Sequence, residues 1–220
     1  MLEKYRHIIW DWNGTLINDT WLCLEIINEL LQAYDKPLLT LELYHEVFDF
    51  PVRDYYQRIG FDFEQTPFEQ VGTEFMQRYW QRWTECPLHA GAPELCAALH
   101  EHGIPQVIIS AAETRLLHAG IQHFDLQPQI EQVWGLDHHY ASSKEGLARE
   151  FVENASVPPE QIVFIGDTVH DNDVAKAAGV DVVLFSGGHH PHRKLQQCGV
   201  PVFDSHAEIY NFLWTETIQI

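Results

Sequence analysis

Four short runs of uninterrupted apolar residues constrain this chain most: His7–Trp10, Gln106–Ser110, Gln161–Ile165 and Val182–Phe185. None alternates polar with apolar residues, so a strand built from any of them has to be covered on both faces. Weaker runs of the same kind lie at Gln132–Trp134 and Pro201–Phe203. Helical patterns separate them. Glu94–His102 ends at Gly103, Ser143–Asn154 stops ahead of Pro158-Pro159, and Asp171–Ala178 ends at Gly179; each glycine is a helix-stop signal. Strands alternating with helices specify an α/β fold with a doubly wound parallel sheet.

One connection breaks the rhythm. After Asp11 the chain does not return to a strand until about Gln106, far longer than a crossover needs. The stretch reads as helices throughout, at Trp21–Tyr34, Leu39–Phe50, Val52–Ile59 and Phe68–Trp83. Residues 18–88 are therefore expected to form an inserted all-helical module, with 1–17 and 89–220 forming the core. The insert leaves the core just after Asp11 and is expected to sit over that residue as a lid.

Bulk properties exclude some partners. A formal net charge of −19 opposes nucleic acid and anionic membrane, so neither is expected as a partner. No apolar run approaches the length of a membrane span, and the N-terminus lacks a secretory pattern. Cys23, Cys86, Cys96 and Cys198 are widely spaced with no Cys-x-x-Cys, as in a reduced, cytoplasmic protein. The oligomeric state is not readable.

The chemistry-bearing residues fall in four fragments. Asp11-Trp12-Asn13-Gly14-Thr15 follows the first apolar run; Val107-Ile108-Ile109-Ser110 ends the second on a hydroxyl; Lys144 opens a helix; and Ile165-Gly166-Asp167-Thr168-Val169-His170-Asp171 ends the third on Gly-Asp, with a second Asp four residues on. Singly each has an ordinary explanation: Asp11 or Asp171 as a helix cap, Asp167 in a turn, Ser110 as a cap, Lys144 on the surface. Together, at strand ends where open parallel sheets bind ligands, they form a candidate site.

This set resembles the haloacid dehalogenase-like hydrolases, whose phosphatases read Asp-x-Asp-Gly-Thr at the first fragment. The resemblance runs along nearly the whole chain and is closest to the phosphoglycolate phosphatase-like branch with a helical cap; Ala175-x-x-Ala178-Gly179 also fits. It implies a Rossmann-like core and a phosphomonoesterase of small phosphorylated metabolites working through an aspartyl-phosphate. Asp11 would be the nucleophile, Lys144 a balancing charge and Ser110 a phosphate holder. Mg²⁺ would be held by Asp11, the backbone carbonyl of Asn13 and Asp167, with Asp171 supporting its waters or Lys144. An all-oxygen set suits Mg²⁺ better than Zn²⁺.

Asn13 departs from the family pattern, which has a general acid and base there. Its main-chain carbonyl serves a metal as well as that of Asp, but an amide exchanges no proton near neutral pH, and losing a general acid/base costs about 10²–10⁴ in rate. Three outcomes stand open: a slow enzyme or one restricted to good leaving groups such as acyl or aryl phosphates, proton transfer by another residue, or binding without turnover. The last would make the chain a non-catalytic phosphometabolite-binding protein on the same fold. Between Lys4 and Lys144 only Lys36 occurs, which speaks against Schiff-base phosphonate chemistry; the retained Gly-Asp-x-x-x-Asp speaks against metal-free dehalogenation.

The insert carries Arg53, Arg58, Arg78 and Arg82. Arg53, in its most aromatic part, is the specificity candidate, against the ordinary reading of solvated arginines. The histidines His138-His139 and His189-His190-Pro191-His192 lack a Cys or carboxylate pattern and are expected in loops rather than at a metal. His170 lies inside the fourth fragment and is a candidate to face the site. Trp80 and Trp83 read as insert core.

Overall fold

A computed structural model describes residues 4–136 and 144–215. The apolar runs form β1 (His7–Trp10), β2 (Gln106–Glu113), β3 (Gln132–Leu136), β4 (Ile162–Gly166), β5 (Asp181–Phe185) and β6 (Val202–Phe203). They pair in parallel in the order β3-β2-β1-β4-β5-β6. Residues alternate between two apolar layers. Ile8, Trp10, Ile108, Val163, Ile165 and Val183 pack on one face, and Ile9, Val107, Ile109, Ile162, Phe164 and Val182 on the other. That two-sided burial explains why the strands read as unbroken apolar runs.

The chain winds from β1 outward to β2 and β3, then returns beside β1 as β4. Two neighbouring strands whose connections leave in opposite directions open a crevice at their carboxyl ends. Asp11 follows β1 and Asp167 follows β4, so both carboxylates are delivered to it.

Four helices lie between β1 and β2 before the one that leads back into the sheet: α1 (Thr20–Ala33), α2 (Leu41–Val47), α3 (Val52–Arg58) and α4 (Phe68–Arg82), then α5 (Ala92–Glu101). The two chain crossings run side by side, through an Ile17–Leu88 bridge and an Asn18 N–H to Pro87 carbonyl bond of 2.9 Å. α2 stops at Val47, earlier than expected, because Phe48 turns to extended backbone. The arginines Arg78 and Arg82 pair across α1 with Glu29 and Glu25, and Arg58 donates to the Val47 carbonyl at 3.1 Å.

The remaining helices are α6 (Thr114–His123), α7 (Lys144–Asn154), α8 (Val169–Ala178), α9 (His192–Leu195) and α10 (His206–Thr215). Of these, α6, α9 and α10 are additional to the helices expected from the sequence. In α6 the buried face is Leu116, Leu117, Gly120 and Ile121, and Gly120 is required there: a Cβ on it would collide with the Trp12 ring at Cζ2. β2 runs three residues past Ser110 to Glu113, with an irregular register after Ile109. α8 begins two residues earlier than expected, where Thr168 and Asp171 form a reciprocal capping box.

Candidate functional site

The turn after β1 is built around glycine. Gly14 has φ +74°, and a Cβ on it would collide with Asp167 Oδ2 and lie 2.6 Å from His189 Cδ2. The backbone thus comes close to the second carboxylate in a conformation side chains avoid. The Gly14 N–H reaches Ile17 O at 3.0 Å, and Thr15, Leu16 and Ile17 fold back on Trp12 O. This tight loop leaves Asp11 and Asn13 at the crevice mouth.

The structure gathers the predicted residues. Lys144 Nζ donates to Asp11 Oδ1, and to Asp171 Oδ1 at 2.5 Å, with all three side chains buried. Asp171 Oδ2 accepts from the Asp167 N–H at 3.1 Å, the Thr168 N–H at 2.9 Å and the Thr168 hydroxyl at 2.7 Å. Asp167 accepts from the Thr15 hydroxyl at 2.8 Å and the His189 N–H at 2.6 Å. Ser110 is buried at the β2 edge of the same cavity, its Oγ accepting from the Ala112 N–H at 3.2 Å.

Charge does not balance inside this group. Asp11, Asp167 and Asp171 offer oxygens within 4.8 Å of one another, against one ammonium among the described residues. Burial pushes Asp11 up to about 6, although Lys144 pulls it down. Burial, with the charges of Asp11 and Asp171, drives Asp167 well above the usual carboxylate range. Burial also acts on Asp171, but Lys144 and the Thr168 donors outweigh it and hold that carboxyl low. On Lys144 burial works against the charge, and the two carboxylates overcome it, raising the ammonium to about 12. Asp167 is the deficient member: neutral donors satisfy its geometry and none supplies positive charge. A divalent cation bound by oxygens fits that deficit.

Asn13 is held by residues the sequence reading missed. Its Nδ2 donates to Asp19 Oδ2 at 2.6 Å and to the Tyr79 hydroxyl at 2.9 Å. Tyr79 in turn donates to Asp19 Oδ2 at 2.7 Å, and the Gly14 N–H to Asp19 Oδ1 at 2.8 Å. Asp19 stands at the N-cap of α1 but makes no side-chain capping bond; its fully buried carboxylate turns back to the loop after β1 instead. Cys23 Sγ lies 3.7 Å from Asp19 Oδ2 and His189 Nε2 3.7 Å from Oδ1. These three could form a second ligand cluster, but the Asp19 oxygens already accept from Gly14, Asn13 and Tyr79.

The site opens into a cavity of about 720 Å³ between the sheet edge and the insert. Arg53 lines it, with its guanidinium 4.8 Å from the Phe63 ring centroid and 5.4 Å from that of Phe68. Arg58, Arg78 and Arg82 do not line it. His170 does face it, stacked on Phe50 at 4.7 Å. Of the other histidines, His189 and His190 stand in a loop, as expected, and are buried, whereas His192 begins α9. His189 shares a 2.9 Å hydrogen bond with the Tyr44 hydroxyl, and His190 Nε2 lies 2.9 Å from the Phe48 carbonyl, so both join the insert to the sheet edge. His138 and His139 lie outside the described residues. Among the described residues no helix is long and apolar enough to cross a membrane. Trp83 is buried in the main apolar cluster and Trp80 packs against it.

The chain is also similar to known proteins. Residues 8–185 match the family described as haloacid dehalogenase-like hydrolase. The chain is 24% identical over 199 residues to a phosphoglycolate phosphatase of Pseudomonas savastanoi pv. phaseolicola, covering 86% of this chain and 72% of that one. It is 23% identical over 190 residues to the tyrosine-protein kinase PtkA of Mycobacterium tuberculosis, covering 85% of this chain; it spans only 64% of that relative's length. Among solved structures, a predicted phosphatase from Clostridium acetobutylicum superposes with a TM-score of 0.82 at 18% identity, covering 96% of this chain and 98% of that one. The PtkA structure gives 0.80 at 19%, covering 97% and 100%.

Proposed function

Because the chain belongs to the haloacid dehalogenase-like hydrolases, we propose that it is a Mg²⁺-dependent phosphomonoesterase of small phosphorylated metabolites, with Asp11 as nucleophile. The observation that carries this reading is the Lys144 ammonium bridging Asp11 and Asp171, beside a charge-deficient Asp167, at the floor of a cavity. Residues 18–88 serve as the cap in this reading. The cytoplasm is the compartment it fits, and neither nucleic acid nor membrane is a partner.

An Asp11 carboxylate oxygen forms a bond to phosphorus as the ester P–O bond breaks and the leaving oxygen departs with the electron pair. Water then attacks the aspartyl-phosphate, its P–O(Asp11) bond breaks, and inorganic phosphate leaves. Lys144 holds Asp11 in place and offsets charge gathering on the transferring group. Ser110 and neighbouring backbone N–H groups hold phosphoryl oxygens. Asp11, Asp167 and the Asn13 carbonyl would hold Mg²⁺, with Asp171 supporting them, and the ion when bound supplies neutralising charge for the phosphoryl oxygens. Asn13 transfers no proton, so its contribution is positional.

Phosphate release from acetyl phosphate with Mg²⁺ tests the reading, since this anhydride needs no proton on its leaving group. Turnover that vanishes in Asp11→Asn is the expected result. Phosphate binding without turnover, in both the native chain and Asn13→Asp, would instead favour a binding protein.

A further inference from the structure

We propose that the substrates of this site are phosphate esters of phenols, bound with the aromatic ring against the insert and the phosphoryl group at Asp11. The proposal rests on the phosphomonoesterase reading above. Two independent features meet in it: residue 13 and its partner Tyr79 offer the leaving oxygen no proton, and the wall it faces is aromatic.

Consider the proton first. An amide nitrogen carries two hydrogens, and both on Asn13 Nδ2 are committed, one to Asp19 and one to Tyr79. The single Tyr79 hydroxyl proton goes to Asp19. What Asn13 can turn toward a substrate is its carbonyl oxygen, an acceptor. A leaving oxygen at this position therefore departs as an anion. Phenols ionise near pH ~10, whereas water, whose O–H resembles that of an aliphatic alcohol, does so near ~15.7. Only the first class leaves readily without help.

Now consider the wall. From the insert, Phe48, Phe50, Tyr55, Tyr56, Phe68 and Phe75 line the cavity. Arg53 is the one basic residue the insert contributes to this lining, and it is already laid over Phe63 and Phe68. A sugar or carboxylate leaving group would bury hydroxyls or charge here with few partners, which is unfavourable. A ring gains area and edge or face contacts instead. Phe50 and Phe48 also touch His170 and His189 on the core side, so the aromatic surface reaches the catalytic floor.

The chemistry balances without a further reactant. The Asp11–phosphorus bond forms, the aryl O–phosphorus bond breaks, and the phenolate takes its proton from solvent. Water then cleaves the aspartyl-phosphate.

Three esters separate the two features on the full chain with Mg²⁺. Phenyl and benzyl phosphate share the ring but differ in leaving oxygen; benzyl and ethyl phosphate share the alkoxide type but differ in the ring. We expect kcat/KM for phenyl phosphate to exceed that for benzyl phosphate by on the order of 10²–10⁴, the range general acid catalysis spans. Benzyl phosphate should inhibit competitively at much lower concentration than ethyl phosphate. Phe75→Leu should weaken that inhibition by roughly three- to tenfold, the equivalent of one ring contact. Benzyl phosphate hydrolysed within tenfold of phenyl would overturn the proposal by revealing a donor, with His170 the candidate. Ethyl phosphate binding as tightly as benzyl would overturn it by removing the ring from recognition. Acetyl phosphate keeps the two readings apart: if it is hydrolysed through Asp11 and phenyl phosphate is not, only the aryl proposal fails. If neither is hydrolysed, the phosphomonoesterase reading fails.

Discussion

Restoring a carboxyl at residue 13 is the obvious way to ask whether Asn13 limits this protein, and the structure predicts that Asn13→Asp alone carries a large penalty. Asn13 donates across 2.6 Å to Asp19, a carboxylate with no exposure. Substitution removes a hydrogen bond to a charged group, about 1.5–3 kcal/mol. It also sets two carboxylates beside each other; at ~4 Å and an effective dielectric of ~20 their repulsion is about 4 kcal/mol. The two terms together come to about 5–7 kcal/mol, a large share of a typical domain's stability. The informative variant is the exchange Asn13→Asp with Asp19→Asn. It retains one amide and one carboxylate, and the amide at 19 can still offer an oxygen to the Gly14 N–H. Urea denaturation of the native chain, both single variants and the double variant gives the coupling energy, expected at about 2 kcal/mol or more in favour of the exchange. Additivity within about 0.5 kcal/mol, the value for independent sites, would refute the claim that Asp19 dictates the residue at 13. The exchanged protein also gains a proton-exchanging group at 13, so its phenyl-to-benzyl rate ratio should fall.

Three further outcomes are expected. With a phenolic leaving group and no base at residue 13, hydrolysis of the aspartyl-phosphate becomes the slow step; rapid mixing with 4-nitrophenyl phosphate should show a burst of nitrophenolate approaching one equivalent per site, and a linear onset would contradict this. Saturating Mg²⁺, at about 100 times its dissociation constant, should stabilise the fold by about 2.7 kcal/mol and raise the thermal midpoint by roughly 5–10 °C; Asp167→Asn should abolish the rise while being itself more stable than the native chain without metal, and an undiminished rise would remove Asp167 from the metal site. His206 is fully buried against Phe185, Trp10 and His89, and burial, with His89 beside it, lowers its pKa from 6.5 to about 3. The folded state keeps it neutral while the unfolded state takes a proton below pH 6.5, so its contribution is present above 6.5 and declines as pH falls toward about 3. Between pH 6.5 and 5 the native chain should lose about 2 kcal/mol more than His206→Phe, at about 1.4 kcal/mol per unit; parallel stability curves for the two proteins would rule this out.

The inner strands were legible because they are buried on both faces, and β1, β4 and β5 came within a residue of their observed bounds. That the candidate site residues come together was legible for a related reason. Asp11 and Asp167 each follow a buried strand, and neighbouring parallel strands bring such residues together however far apart they lie in the chain. Lys144 needed the fold: α7 packs against α8, where Asp171 lies, and nothing local to Lys144 signals that it reaches both carboxylates. The end of α2 was obscured because the aromatic residues after Val47 continue an apolar pattern. Phe48 leaves the helix so that its carbonyl can accept from Lys194 at 2.7 Å and lie against His190.

Asp19 was the hardest residue to read, and the reason is physical. An aspartate immediately before a helix is an ordinary cap, and that local explanation suffices on the sequence alone. Here the cap bond is absent, and the carboxylate goes to Gly14, Asn13 and Tyr79. The choice is visible only when α4 brings Tyr79 over the β1 loop. Once it is seen, Asn13 ceases to be a catalytic Asp with its charge removed. An amide is the one side chain of that size able to donate to Asp19 and to Tyr79 at once while keeping its backbone in the turn that Gly14 requires. The Asp19 carboxylate lies in the layer behind the loop, where it fixes the turn through Gly14, Asn13 and Tyr79. In the proposed reaction an amide at residue 13 forgoes proton transfer. The effect of residue 13 on rate should therefore depend strongly on the leaving group, largest for alkoxides and small for phenolates.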